Sequence, residues 1–251
     1  MSEGFSGKTA LITGATTGMG RAVAIALARK GADVVVAARR EKEGAEAVKD
    51  IDAAGGRGLF VRTDVTKEAE ANAMVEQTLE RFGRLDFVFN NAGSGVNAPI
   101  TEMTTAEWNQ DIAVNLTGTF YGLKAQMKVM EAQGGSIVNM SSQTASFASP
   151  GYGAYAAAKA GVEALTRVAA IEGAAKNIRV NTVAPGVINT DILRTVPPHL
   201  LDTLKSRIPM KRPGEIDEVA NLVIFLMSPA SSFITGQNIL IDGGFTKGLS
   251  F

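Results

Sequence analysis

The chain has 251 residues, 45% of them apolar and 20% charged, which suits one α/β domain with a well-buried core. Its 25 Lys and Arg balance 25 Asp and Glu, so no basic field exists to draw nucleic acid or an anionic membrane surface. With no cysteine and one histidine, His199, it excludes disulfides, thiol catalysis and a conventional metal site.

Met1 to Lys8 lacks the apolar core of a signal peptide, and no apolar run reaches the roughly 18 residues of a membrane span. A soluble, cytoplasmic protein is expected. Strand-like apolar runs fall at 8–13, 33–38, 58–63, 85–90, 135–140, 178–184 and 238–241. Helical patterns lie between them, at 18–30, 41–54, 67–82, 105–132, 154–175 and 215–227. This alternation predicts βαβ units and a doubly wound parallel sheet of about seven strands, with helices on both faces. There is no repeat, low-complexity tract or linker, so 1–251 is expected to form a single domain. Only 190–212 breaks the rhythm. Pro197, Pro198 and Pro209 keep it from being one regular helix, and it is expected to be a broken lid beside the site, or else a plain surface loop.

Motifs follow the same order. Thr13-Gly14-Ala15-Thr16-Thr17-Gly18-Met19-Gly20 stands between the first strand and the first helix. Glycines there let the backbone approach a pyrophosphate, and the helix N-terminus offers N–H groups and a positive dipole end. Tight turns use glycine too, so the flanking strand and helix are what give the pattern weight. The second strand ends Ala37-Ala38-Arg39-Arg40, the third ends near Asp64-Val65, and the fourth leads into Asn90-Asn91-Ala92-Gly93. Asn115 lies inside the long helix, where asparagine is a mildly poor choice. Ser142 precedes Tyr155 by thirteen positions, and Lys159 follows Tyr155 by four, with helix-forming alanines between. Tyr155 and Lys159 therefore share a helix face, as an ordinary surface pair also would. Pro185-Gly186-Val187-Ile188-Asn189-Thr190 follows the sixth strand.

Taken together and in order, these motifs resemble the compact, single-domain short-chain dehydrogenase/reductase family over nearly the whole chain. The resemblance implies a Rossmann-type fold, a nicotinamide cofactor and interconversion of a ketone and a secondary alcohol. It makes Tyr155 the acid in reduction and the base in oxidation. Lys159 lowers the phenol's pKa and holds the nicotinamide ribose, Ser142 binds the substrate oxygen, and Asn115 holds a relay water. Gly14, Thr17, Gly18, Met19 and Gly20 cradle phosphate. Asp64 and Val65 meet adenine, although Asp64 equally suits a turn cap. Asn91, Ala92 and Gly93 pass the adenosine ribose, or make a plain asparagine–glycine turn. Pro185, Gly186, Ile188 and Thr190 receive the nicotinamide carboxamide, with a helix N-cap the other reading of Thr190. Tyr152 rivals Tyr155 but has Ala156 where a lysine is needed, and reads as a pocket wall. Tyr121 reads as an ordinary helix residue, and His199 as a solvated loop residue.

Ala38 occupies the position where an acidic residue would grip a ribose 2′-hydroxyl, and Arg39 with Arg40 can pair a 2′-phosphate. NADP(H) is expected over NAD(H), although many NADP-preferring relatives carry a basic residue near Thr17. Ser94, Val96, Gln143, Ala145, Phe147, Tyr152, Val187, Ile192, Leu193 and Val196 are candidate pocket residues, with no cluster of cations among them. A neutral, fairly hydrophobic small-molecule ketone or alcohol is therefore expected, Arg194 being the one threat if the lid folds inward. The family's enoyl reductases typically space tyrosine and lysine by seven. A 3-oxoacyl-[acyl-carrier-protein] reductase is the nearer alternative, weakened by Ile171 where an arginine is usual but kept open by Lys124 and Lys128. A non-catalytic dinucleotide sensor would not need Ser142, Tyr155 and Lys159 together. A homotetramer is implied by resemblance, through helix 215–227 and the last strand.

Overall fold

The structure is a computed structural model describing residues 4–194 and 196–248. Met1 to Glu3 of the start read above, and the side chains of the lid residues Ile192 and Arg194, lie outside that description. Seven strands form one sheet: β1 (Thr9–Thr13), β2 (Asp33–Ala38), β3 (Gly58–Arg62), β4 (Phe87–Asn90), β5 (Gly135–Met140), β6 (Ile178–Pro185) and β7 (Asn238–Ile241). The order is β3-β2-β1-β4-β5-β6-β7, and every pairing is parallel. This is the expected doubly wound, Rossmann-type sheet.

Residues alternate between two cores, one on each face of the sheet. Ala10, Ile12, Val34 and Val36 pack against α1 (Gly18–Ala28), α2 (Glu41–Ala53) and α9 (Ile216–Met227) through Val23, Leu27, Ile51, Val219 and Val223. Leu11, Val35, Val88 and Ile137 face the other way. They meet α3 (Glu68–Phe82), α5 (Gly118–Met130) and α6 (Gly153–Ala174) through Met74, Val75, Leu123, Met130 and Ala170. Because both faces are covered, the central strands read as unbroken apolar runs instead of alternating ones.

One expectation needs correction. The long helix expected at 105–132 is α4 (Thr105–Ile112), a π-helical turn (Ala113–Thr117) and then α5. A single wide turn leaves the hydrophobic period almost unchanged, so the sequence pattern does not register it. Segment 190–212 holds two short helices, α7 (Asp191–Arg194) and α8 (Pro198–Arg207), on either side of Pro197. The prolines break one long helix but permit a new one to start, since proline is tolerated in a first turn.

Candidate active site

Strand order reverses between β1 and β4, and the crevice outside their carboxyl ends is where a sheet of this kind binds ligands. β1 runs into Gly14, at φ 67°, and then the Thr17 cap of α1. A Cβ on Gly14 would stand 2.9 Å from Ala92 Cα, and one on Gly20 only 2.6 Å from Asn91 Nδ2. These two glycines are needed for internal packing. Gly18 differs, with φ 57° and nothing within 4 Å of its Cβ position, so that face opens outward. Thr17 makes no side-chain cap bond, which leaves the first N–H groups of α1 to meet an anion, with Met19 beside them in the first turn. The Arg40 guanidinium donates to Thr16 Oγ1 at 3.0 Å and Thr17 Oγ1 at 3.4 Å, so it lies against this turn. Arg39 is exposed at the end of β2.

Asp64 follows β3. Burial pushes its carboxyl up, but bonds from the Thr66 N–H and hydroxyl and the charges of Arg39 and Lys67 outweigh that and hold it below its usual range. It does cap the next turn. Val65 packs on the start of α5, where a Cβ on Gly118 would be 2.9 Å from Val65 Cγ2.

At the end of β4, the Asn91 amide donates to the Thr13 and Gly14 carbonyls, both at 3.1 Å. The Asn91 and Ala92 N–H groups both donate to Thr13 Oγ1 at 3.0 Å. The Asn91 side chain thus ties two strand ends together, while the backbone after it lines the crevice. A Cβ on Gly93 would be 2.9 Å from Asn115 Oδ1 and 3.6 Å from Lys159 Nζ, so glycine lets the loop lie on both.

Asn115 sits in the π turn and is fully buried. Its Nδ2 donates to the Ser94 carbonyl at 2.8 Å and the Asp111 carbonyl at 2.9 Å. The Thr119 hydroxyl donates to the Asn115 carbonyl at 2.8 Å. Side chains therefore serve carbonyls that the wide turn displaces from the regular ladder.

Of the two adjacent serines, Ser141 donates to Glu163 Oε1 at 2.7 Å and is turned inward. Ser142 caps the 3-10 turn Gln143–Ala145, its oxygen accepting from the Thr144 N–H at 3.2 Å, and its side chain lies near enough to the Tyr155 phenol to act on its pKa. One helical turn beyond Tyr155, Lys159 is 2% exposed; its ammonium donates to the Met140 carbonyl at 2.8 Å and lies 5.5 Å from the Tyr155 ring centroid. Burial pushes that ammonium down to about 8, against the pull of Asp111. Burial likewise pushes the Tyr155 phenol up; the Ser142 hydroxyl opposes this, and Asp111 and Tyr152 add to it. Burial is the largest influence on the phenol, which stands above its ordinary value where the sequence reading expected Lys159 to lower it. Tyr152 stacks edge-on to Tyr155 with centroids 6.2 Å apart, as a wall would.

Beyond β6, the Gly186 N–H donates to the Ile241 carbonyl at 3.0 Å. The Gly214 N–H donates to Val187 at 2.9 Å and Asn189 donates back to Gly214 at 2.8 Å, which seats buried Ile188. Thr190 leads directly into α7, and His199 is exposed on α8.

Asp111 escaped the sequence reading. It is fully buried, with its carboxylate accepting from the Val96 N–H at 3.1 Å and the Ser94 hydroxyl at 3.4 Å. The one available signal was its spacing of four from Asn115 on a helix. Among the described residues, no three His, Asp or Glu side chains cluster as metal ligands. A groove of about 380 Å³ lined by Ile100, Met103, Trp108 and Ala157 borders α6 but includes none of Ser142, Tyr155 or Lys159. The open Gly18 face, uncapped α1 and the adjacent arginines fit a dinucleotide phosphate, and the buried phenol, hydroxyl and ammonium can move a proton.

A family model described as "Enoyl-(Acyl carrier protein) reductase" matches residues 14–246. The chain is 39% identical over 250 residues to a 2,5-dichloro-2,5-cyclohexadiene-1,4-diol dehydrogenase of Sphingobium indicum, covering 99% of this chain and 100% of that one. It is 41% identical over 254 residues to a trans-4-hydroxycyclohexanecarboxylate dehydrogenase of Sinomonas cyclohexanicum (99% and 96%). A 3-oxoacyl-[acyl-carrier-protein] reductase of Staphylococcus epidermidis is 38% identical over 239 residues (94% and 98%). Among solved structures, levodione reductase superposes with a TM-score of 0.93 at 34% identity, covering 97% of this chain and 99% of that one.

Proposed function

This chain belongs to the short-chain dehydrogenase/reductase family, an NAD(P)-dependent alcohol–ketone oxidoreductase, and from that premise we propose that it interconverts a neutral, fairly hydrophobic secondary alcohol and its ketone with NADP(H) preferred. The observation that carries the reading is the convergence of Ser142, Tyr155, Lys159 and Asn115 at the carboxyl ends of β4 and β5.

A bound nicotinamide supplies the hydride for reduction and takes it up in oxidation. Tyr155 gives its proton to the carbonyl oxygen in reduction and removes it in the reverse direction. A phenol raised by burial stays protonated near neutral pH, which suits the acid role. Ser142 accepts from the Thr144 N–H, and its hydroxyl, beside the Tyr155 phenol, binds the substrate oxygen. Lys159 holds the nicotinamide ribose and returns the proton to Tyr155, a task that an ammonium near 8 performs readily. Asn115, locked by three hydrogen bonds, holds the relay water beside Lys159.

For the cofactor, Gly14, Thr17, Gly18, Met19 and Gly20 hold the pyrophosphate. Asp64, Val65, Asn91, Ala92 and Gly93 hold the adenosine side, and Pro185, Gly186, Ile188 and Thr190 hold the carboxamide. Ala38 with Arg39 and Arg40 favours a 2′-phosphate, and the Arg40 contact with Thr16 and Thr17 supports this. Residues 1–251 act as one domain in the cytoplasm, with 190–212 as the substrate lid. Among the described residues, no helix is long and apolar enough to cross a membrane. Exposed Phe225 on α9 and Val168 and Ile171 on α6 support a homotetramer.

The acyl-carrier reading has less support. Lys124 is bound to Glu68 at 2.8 Å, and Ile171 stands 79% exposed where an arginine would meet an acidic carrier. A four-residue step from Tyr155 to Lys159 also departs from the seven of enoyl reductases. Two of the relatives above are named for ring alcohols, which supports cyclic substrates. A panel of cyclic and aryl ketones, keto acids and an acyl thioester, followed by NADPH consumption, tests this. Turnover confined to keto acids or the thioester would sink the substrate proposal.

A further inference from the structure

We propose that Asp111 is a positioning residue of this reaction: its buried carboxylate clasps the 94–96 segment over Tyr155 and Lys159 and acts as the counter-charge that keeps the proton on that pair. The inference rests on the alcohol–ketone reading of the same site and adds to it a residue with no exposed surface.

Asp111 lies in the last turn of α4, one turn before Asn115. The two side chains divide the segment after Gly93 between them. Asn115 takes the Ser94 backbone, donating to its carbonyl at 2.8 Å and accepting from its N–H at 3.3 Å. Asp111 takes the next stretch, accepting from the Val96 N–H at 3.1 Å and the Ser94 hydroxyl at 3.4 Å. The segment so held lies on the reacting pair. A Cβ on Gly93 would be 3.6 Å from Lys159 Nζ, and one on Gly95 would be 3.6 Å from Tyr155 Cδ2.

Shape alone does not call for a charge at 111. An asparagine could accept from Val96 equally well, without the cost of desolvating a carboxylate. The two donors that Asp111 meets, a peptide N–H and a hydroxyl, are both neutral, so neither offsets that cost as a cation would. The charge acts instead on the reacting pair. Burial lowers the Lys159 ammonium to about 8 and Asp111 pulls it back up; burial raises the Tyr155 phenol, and Asp111 and then Tyr152 add to the rise. The other ionisable groups on elements packed against Lys159 are engaged elsewhere or face outward. Glu163 of α6 accepts from Ser141, and Glu107 of α4 accepts from Thr104. Lys124 of α5 is paired with Glu68, Lys128 is exposed, and Tyr121 packs on the core beneath the sheet. Arg179 of β6 donates to the Leu226 and Ser228 carbonyls. Asp111 thus biases the pair toward the protonated state from which a reduction starts.

The test is the pH profile of kcat for oxidation of a cyclic secondary alcohol at saturating NADP⁺, in the parent, Asp111→Asn and Ser94→Ala. The rate rises with pH as the pair loses its proton, and a nearby carboxylate delays that loss. Asp111→Asn removes the charge and keeps the shape, so its rising limb should move to lower pH by about half a unit or more. Ser94→Ala loosens the segment and keeps the charge, so its limb should stay in place while its plateau falls a few-fold. An unmoved limb in a folded Asp111→Asn overturns the assignment, as does a limb that Ser94→Ala moves equally. Should Asp111→Asn fail to fold, Asp111→Ser takes its place with the same shift expected. Failure of both gives Asp111 to the fold alone and also overturns the proposal. A parent that oxidises no secondary alcohol, or whose rate does not rise with pH, would count against the alcohol–ketone reading itself, which separates the two failures.

Discussion

Replacing Lys159 with Met keeps the length of the side chain, removes its charge and should make stability less dependent on alkaline pH. The ammonium is 2% exposed, and burial lowers its pKa from 10.5 to about 8. At 1.36 kcal/mol per pKa unit, holding the charge inside costs about 3 kcal/mol at neutral pH. The sign follows from proton counting. Between pH 8 and 10.5 the folded chain binds fewer protons at this site than the unfolded chain, so the parent gains stability as pH rises through 8. The gain is about 1 kcal/mol by pH 9 and about 3 kcal/mol once both states are neutral. Lys159→Met has no such rise, although it strands the Met140 carbonyl that the ammonium serves at 2.8 Å. That loss shifts its whole curve by a constant and leaves the slope untouched. Urea unfolding of both proteins at pH 7, 8 and 9, at matched concentration and without added cofactor, reads the difference directly. Parallel curves for parent and variant across that range would refute the idea that the ammonium is held desolvated.

Three further outcomes are expected. NADPH should exceed NADH in kcat/KM, Arg39→Ala and Arg40→Ala should each narrow the gap, and Ala38→Asp should reverse it; parity of the two cofactors in the parent would contradict the reading. Gly20→Ala puts a Cβ 2.6 Å from Asn91 Nδ2 and 2.7 Å from the Gly14 carbonyl. It should lose about 1–3 kcal/mol in denaturant titration together with cofactor affinity, since the clash opens the turn that cradles phosphate. Sedimentation at micromolar concentration should give a tetramer, with a monomer alone arguing against the exposed faces of α6 and α9 as contacts.

The sheet was legible because each strand is a short apolar run closed by a glycine or polar turn. β2 falls where Val34, Val35 and Val36 place it, and α9 where Val219, Val223 and Leu226 repeat at helical spacing. Ser142 could be preferred to Ser141 from its spacing to Tyr155, and in the structure Ser141 donates to Glu163. What was not legible depends on contacts between distant segments. Asp111 reads as a surface residue until Ser94 and Val96 fold over it. Arg40 reaches back to Thr16 and Thr17 across 24 and 23 positions, which no local pattern encodes. The rise of the Tyr155 phenol comes first from burial, which spacing along the chain does not encode. A four-residue spacing puts Lys159 on the right face, but the Met140 carbonyl at the end of β5 decides where its ammonium points.

The most direct test of the account is Tyr155→Phe, which keeps the ring against Gly95 and Tyr152 and deletes only the hydroxyl. Cofactor affinity, read by fluorescence titration, should stay within a few-fold of the parent, while kcat for ketone reduction should fall by about 10²–10⁴ as the positioned proton donor is lost. A variant that binds cofactor and retains most of its rate would mean that Tyr155 is not the acid, and the central claim would fall with it.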